Sequence, residues 1–194
     1  RRIIICAFTG KAAHNVHGNT IHNAFHIMPN QQLTFKNLSA EKLNTYQVKY
    51  RNLKVIMIDE ISMVGNKLFN IINLRLQEIM RNRKPFGGVH ILVIGDLFQI
   101  KPMFNGWIFE DIAAGPGYEY APLAQNLWRD LFLIFELTEI MRQKDDKRFA
   151  SVLNRLREGK HTDADLQLLE TRIVTTQELK KLQKLPHLFA QNNF

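Results

Sequence analysis

Short apolar runs alternate along the chain with stretches of helical periodicity, the patterning of an α/β domain built on a mainly parallel sheet. Ile3–Phe8 is a continuous apolar run, as a strand buried on both faces requires. Ala12–Val16 and Thr20–Ile27 read as short helical pieces on either side of Gly18. A polar loop over Met28–Asn37 then leads to a helix from about Ser39 to Tyr50. Val55-Ile56-Met57-Ile58 is a second buried strand. Val64, Leu68, Ile71, Ile72, Ile79 and Met80 recur at helical spacing and predict an amphipathic helix to about Asn82. Arg83-Lys84-Pro85-Phe86-Gly87-Gly88 ends it, Pro and Gly being strong punctuation. Val89–Ile94 predicts a third strand and Leu131–Phe135 a fourth.

After Gln143 the pattern turns helical. Phe149, Val152, Leu153 and Leu156 share one helix face, which predicts a helix over Asp145–Glu158 with Gly159 as its C-terminal stop. Thr162 followed by Asp165 is an N-cap pair for a second helix through Glu170. The expected organisation is a sheet domain over 1–144 and a helical segment over 145–194, without internal repeats.

Composition narrows the class. The chain has 194 residues, 45% hydrophobic and 23% charged, which suits a single globular domain and excludes collagen-like or low-complexity readings. No apolar run approaches the ~18 residues of a membrane helix. The 26 Lys and Arg against 18 Asp and Glu leave a net charge of +8, which favours a polyanionic partner, nucleic acid first. A solvated basic surface is the equally ordinary outcome of that balance. A single cysteine, Cys6, excludes an internal disulfide framework and points to a reducing compartment. Residue 1 is Arg and an apolar run opens at Ile3, so the chain reads as a piece of something longer.

Val55–Ile58 runs directly into Asp59-Glu60, two adjacent carboxylates at the carboxyl edge of a sheet, where open α/β folds bind ligands. In nucleoside triphosphatases the first such carboxylate holds Mg²⁺, usually through water, and the second orients or deprotonates the attacking water. A solvated acidic turn explains an isolated pair equally well. Val89–Ile94 followed by Gly95-Asp96 repeats the design, and Gln99 just beyond it is a neutral donor suited to a terminal phosphate. Taken alone, that segment is as well read as a tight turn with an exposed glutamine.

Three ordered strings carry a resemblance: Ile58-Asp59-Glu60-Ile61-Ser62-Met63-Val64, Gly95-Asp96-Leu97-Phe98-Gln99, and Leu137-Thr138-Glu139-Ile140-Met141-Arg142-Gln143. They occur in the order of superfamily-one DNA helicases. They resemble most closely the petite-integration-frequency (PIF) family and its relatives in Helitron transposons, themselves similar to RecD. Ala7-Phe8-Thr9-Gly10-Lys11-Ala12-Ala13 with Gly18-Asn19-Thr20-Ile21-His22 is similar to that family's single-strand-contacting motif Ia. Leu153-Asn154-Arg155-Leu156-Arg157-Glu158-Gly159 is similar to its helical segment after motif IV. The likeness runs from about Ile3 to Glu170.

The resemblance implies a partial RecA-like P-loop NTPase domain from an ATP-dependent DNA helicase, tracking 5′ to 3′ on single-stranded DNA. It implies roles in repair, recombination, or telomere and transposon maintenance. Asp59 would be the Walker B carboxylate for Mg²⁺, Glu60 the catalytic base, Gln99 the γ-phosphate sensor and Arg142 a phosphate-contacting arginine. Thr9, Gly10, Lys11, Gly18, Thr20 and His22 would lie along the DNA. The implied cofactors are ATP and Mg²⁺. The implied partners are single-stranded DNA and a DNA fork or duplex, with no membrane and no other small-molecule substrate. The implied residence is intracellular, in nucleus or mitochondrion. Without the family, Arg142 is more simply an ion-pair partner of Asp145 or Asp146.

The chain also departs from the family. Gly10-Lys11 is not a Walker A lysine, because that loop requires Gly at position 5 and Ser or Thr at position 12, where Ile5 and Ala12 stand. Neither the phosphate-binding loop nor the C-terminal motifs with their arginine finger occur in these 194 residues. The expectation is therefore half of an active site, inactive by itself. The alternative is a decayed transposon-derived fragment that binds DNA without catalysis. His14, His17, His22 and His26 cluster without a cysteine or carboxylate among them, a poor zinc donor set; polar surface or DNA contact fits them better. Trp128 reads as core, whereas Trp107 and Phe109 suit either core packing or base stacking.

Overall fold

The computed structural model describes residues 2–28, 33–103, 105–115, 125–141, 143 and 145–174. It falls into two compact units, 1–136 and 137–194.

In the first unit four strands form one sheet, every pairing parallel. They are β1 (Ile3–Ala7), β2 (Asn19–Thr20), β3 (Val55–Asp59) and β4 (His90–Val93), in the order β2-β1-β3-β4. β1 and β3 lie inside the sheet, and their apolar runs supply its centre. Ile4 and Cys6 of β1 and Ile56 and Ile58 of β3 are buried. Burial pushes the Cys6 thiol up to about 12, so it stays protonated and packs as a small apolar group.

Helices α1 (Gly10–Asn15), α2 (Ile21–Phe25), α3 (Ala40–Tyr50) and α4 (Asn66–Met80) follow. Thr9, Thr20 and Ser39 cap the first three by accepting backbone N–H groups three residues on. Tyr46 and Tyr50 on α3 are buried, and their hydroxyls donate to the carbonyls of Asn23 and Ala24, at 3.1 and 2.7 Å. Those two bonds lock α3 to α2. On α4, Arg75 pairs with Glu78 and donates to the Lys36 carbonyl, while Glu78 accepts the Leu38 N–H. The polar segment before α3 is thereby tied to the core helix.

The structure corrects two expectations. Val64 is not part of α4: Ile61–Met63 form a 3₁₀ turn, and Val64 follows in extended conformation, fully buried. Its helical spacing reflects a shared core, not a shared helix. Leu131–Phe135 is not a strand either. Residues Leu127–Leu131 form α5, capped by Asn126, and Leu133, Ile134 and Phe135 stand 85%, 78% and 86% exposed. A strand needs a neighbour for its backbone groups, and among the described residues none pairs with this run or with the outer edge of β4. β2 is the converse case, a two-residue polar strand with no apolar pattern to announce it.

In the second unit α6 (Lys147–Arg157) is capped by Asp146, and Gly159 follows it at φ +70°. α7 (Asp163–Glu170) opens with a complete capping box between Thr162 and Asp165. Arg155 grips the Asp165 carboxylate with two nitrogens, at 2.7 and 2.5 Å. The guanidinium and the Thr162 N–H hold that carboxyl well below the usual carboxylate range. This pins α6 to α7.

Candidate active site

The carboxyl ends of β3 and β4 meet the start of α1 in one place. Asp59 is the last residue of β3, in register with Ala7 at the end of β1. Glu60 then adopts left-handed backbone, φ +54° and ψ 49°, which turns the chain off the sheet. Adjacent strand residues would face opposite sides; the turn allows both carboxylates to serve one site. The next N–H, of Ile61, donates to the Ile94 carbonyl at 3.1 Å, drawing the β3 turn against the end of β4. Gly95 permits that approach: a Cβ there would stand 2.7 Å from the Ile61 nitrogen.

The result is a cleft of about 230 Å³. Thr9, Lys11, Ala12 and Asn15 line one side, Asp59, Glu60, Ser62 and Met63 another, and Gln99 and Ile100 a third. Asp59 Oδ1 accepts the Glu60 N–H at 3.0 Å. Among the described residues the Glu60 carboxylate accepts no hydrogen bond. Asp96 accepts from the Phe98 N–H at 3.0 Å and from Gln99 Nε2 at 3.4 Å, which holds Gln99 at the cleft mouth.

Ser62 is 1% exposed, and among the described residues its hydroxyl has no hydrogen-bond partner. An orphaned buried hydroxyl costs about 1–3 kcal/mol, so its position at the cleft wall is notable. Two half-buried carboxylates and a spare hydroxyl are hard oxygen donors, the kind that suit Mg²⁺, which keeps most of its waters. Ser62 and Asn15 were not singled out by sequence reasoning. Ser62 stands within the motif string around Asp59, as a polar residue between Ile61 and Met63, and that was the available signal.

Asp59, Glu60, Gln99, Thr9 and Lys11 therefore converge on one cleft. Gly10 begins α1 with open space around its Cα. Gly18 lies against β1, where a Cβ would meet the Ile5 carbonyl oxygen at 2.4 Å, so only glycine fits. Thr20 caps α2. His22 is half-buried with its ring edge-on to Phe8, and burial lowers its pKa. Arg142 lies outside the described residues. Trp128 stacks on Phe132 against the core, as expected, and Trp107 lies parallel to Phe109 with ring centres 5.6 Å apart.

A second recess, of about 20 Å³, opens between α4 and the segments around Ile108 and Trp128. There the Asn66 amide donates to the Glu110 and Asp111 carbonyls and fixes that loop.

Comparison with known proteins agrees with this geometry. The family model for PIF1-like helicases matches residues 1–167. The chain is 32% identical over 167 residues to the ATP-dependent DNA helicase PIF1 of Candida albicans, covering 83% of this chain and 18% of that protein. Its identity to the PIF1 helicase of Emericella nidulans is 33% over 174 residues, covering 86% and 21%. Among solved structures, Bacteroides Pif1 bound to single-stranded DNA superposes with a TM-score of 0.64 at 30% identity, over 87% of this chain and 39% of that one. The Bacteroides enzyme with ADP-AlF3 and single-stranded DNA gives 0.65 at 27%, over 94% and 46%. The parallel sheet is thus a RecA-like one, and the chain spans about a fifth of the length of these two curated relatives.

Proposed function

Because the chain belongs to the PIF1-like helicase family, whose model matches residues 1–167, we propose that it is the catalytic-carboxylate portion of an ATP-dependent DNA helicase moving 5′ to 3′ on single-stranded DNA. The observation that carries this reading is the convergence of Asp59, Glu60 and Gln99 on one cleft at the carboxyl edge of the sheet. In this reading 1–144 form the ATPase part, and 145–194 lead toward a second RecA-like half.

Asp59, at the rigid end of β3, would hold Mg²⁺ through water. Bound there, the ion would supply positive charge beside the phosphates of ATP. Glu60, turned out of the strand, would take the proton of the attacking water. Gln99, held by Asp96, would donate to the γ-phosphate only while that group is present, and Arg142 would contact the same phosphate. Such state-dependent contacts are what turn hydrolysis into movement. Thr9, Gly10, Lys11, Gly18, Thr20 and His22 would follow the DNA strand. Lys11 would meet its backbone phosphates, since its exposed ammonium is the one full charge of this set. A strand bearing the phosphate-binding loop would pair with the outer edge of β4 and with Leu131–Phe135, and would cover both. Residence in nucleus or mitochondrion, and work in repair, recombination, or telomere and transposon maintenance, accompany this reading.

The test is phosphate release and fork separation by a longer protein in which a phosphate-binding loop precedes this sequence. Both are expected to require single-stranded DNA and Mg²⁺. Phosphate release that ignores DNA would defeat the reading. The 194-residue chain alone is expected to release none, because the loop that cradles the phosphates does not occur in it.

A further inference from the structure

The amino edge of the sheet, opposite the carboxylate cleft, is lined by positive charge. In a parallel sheet all strands enter at one edge, and α3 and α4 return the chain to it. Arg2 precedes β1, Arg51 and Lys54 precede β3, and Arg81, Arg83 and Lys84 stand between α4 and β4. All six are exposed, and among the described residues none is in an ion pair. No Asp or Glu occurs in 50–55 or 80–90.

The backbone places two of these positions side by side and the start of β4 next to them. The Lys54 N–H donates to the Arg2 carbonyl at 2.8 Å, and the His90 N–H donates to the Lys54 carbonyl at 3.0 Å. Arg2 and Lys54 are therefore neighbours just ahead of β1 and β3, and His90 opens β4 one step further along, opposite Val55. Only Arg51 and Arg81 sit at helix C-caps, where a cation offsets the helix dipole. The remaining four have no such local task.

We propose that this edge is a second nucleic-acid surface, one that holds the phosphates of duplex DNA without reading sequence. The choice of nucleic acid rests on the helicase reading; the choice of duplex rests on the surface. The starts of three strands span roughly 10 Å and face about three phosphates of the nearer strand of a duplex. No exposed Phe, Tyr or Trp stands in 50–55 or 80–90, since Tyr50 and Phe86 are turned into the core. The edge therefore lacks the stacking platform that single-strand sites use and the aromatic anchors of protein interfaces. The two sites lie at opposite edges of one sheet, so single strand and duplex can be held together.

The experiment uses the 194-residue chain and the triple variant Lys54→Gln, Arg83→Gln, Lys84→Gln, with Lys42→Gln on α3 as a single-charge control away from this edge. Affinity for a labelled duplex, a labelled single strand and a polyglutamate peptide is measured across a salt series, with circular dichroism on each protein. The triple variant is expected to lower the duplex salt slope by about 2.7, from roughly 0.9 per phosphate contact, and to leave the single-strand slope in place. Lys42→Gln should change neither. An unchanged duplex slope, an equal fall for single strand and duplex, or loss of polyglutamate binding alone would each overturn the proposal. A chain that holds duplex at this edge but no single strand anywhere would count against the helicase reading and leave this one standing.

Discussion

β3 and β4 end alike and are used differently. Each is a short apolar strand that delivers a carboxylate at its carboxyl end, Asp59-Glu60 in one case and Asp96 in the other. Asp96 spends its oxygens on its own turn, accepting the Phe98 N–H and Gln99 Nε2. Glu60 has no such bond, sits in left-handed backbone, and faces a cleft with an unpartnered serine beside it. One acid builds the wall of the site and the other is left available to work in it. The difference lies in the two turns, closed on itself at Asp96 and strained at Glu60, and strain of this kind concentrates at working sites.

The comparison breaks most visibly in the rate of hydrolysis. In a protein with a phosphate-binding loop restored upstream, Glu60→Gln is expected to lower single-turnover hydrolysis by about 10²–10⁴ while nucleotide affinity holds. Asp96→Asn should lose less than about tenfold, since the amide oxygen still accepts the Phe98 N–H and only the longer bond from Gln99 Nε2 is given up. Asp59→Asn should instead raise the Mg²⁺ concentration needed, because it removes charge beside the ion. Equal losses for Glu60→Gln and Asp96→Asn would erase the distinction drawn between them.

Next in size is the contact that joins the two turns. Gly95→Ala would force a Cβ to within 2.7 Å of the Ile61 nitrogen, at φ +155°. The expected cost is about 1–3 kcal/mol, read as a lower urea midpoint with unchanged slope. A neutral outcome would mean that the β3 and β4 turns do not depend on one another.

Ser62→Ala sharpens the cleft. Removing an unpartnered buried hydroxyl should raise stability by about 1 kcal/mol, measured by the same unfolding transition. A loss of stability would reveal a partner for that hydroxyl and take it out of the site.

The last two effects have opposite signs. Asp96→Ala deletes two exposed turn hydrogen bonds and should cost roughly 1 kcal/mol. Glu60→Gly relieves left-handed backbone and should gain roughly 0.5 kcal/mol after the entropy of glycine is deducted. Shifts of the same sign would show that both acids do the same structural work.

Much of this was open to a reader of the sequence. The apolar runs of β1 and β3 mark themselves, because a strand inside the sheet tolerates few polar residues, and β4 carries the same apolar composition though its side chains are partly exposed. Ser39, Asp146 and the Thr162–Asp165 pair announce helix starts through local hydrogen bonding that needs nothing from the rest of the chain. Asp59, Glu60 and Gln99 were legible as candidates for the same reason: strand followed by acid is a local pattern.

Tertiary structure decided what local pattern could not. Val64 matches the helical period of α4 yet lies outside it, because burial alone sets that spacing. Leu131–Phe135 has the composition of a strand but no neighbour among the described residues, and strand identity belongs to a pair, not to a segment. Ser62 entered the site only when the turn after Glu60 buried its hydroxyl beside the cleft. Lys11 shares that cleft with the two carboxylates only because parallel pairing sets the ends of β1 and β3 level. Composition and periodicity determined the elements and the chemistry each could offer. Which groups meet, and which are left without a partner, was decided by the pairing of distant strands, whose register no local stretch of chain encodes.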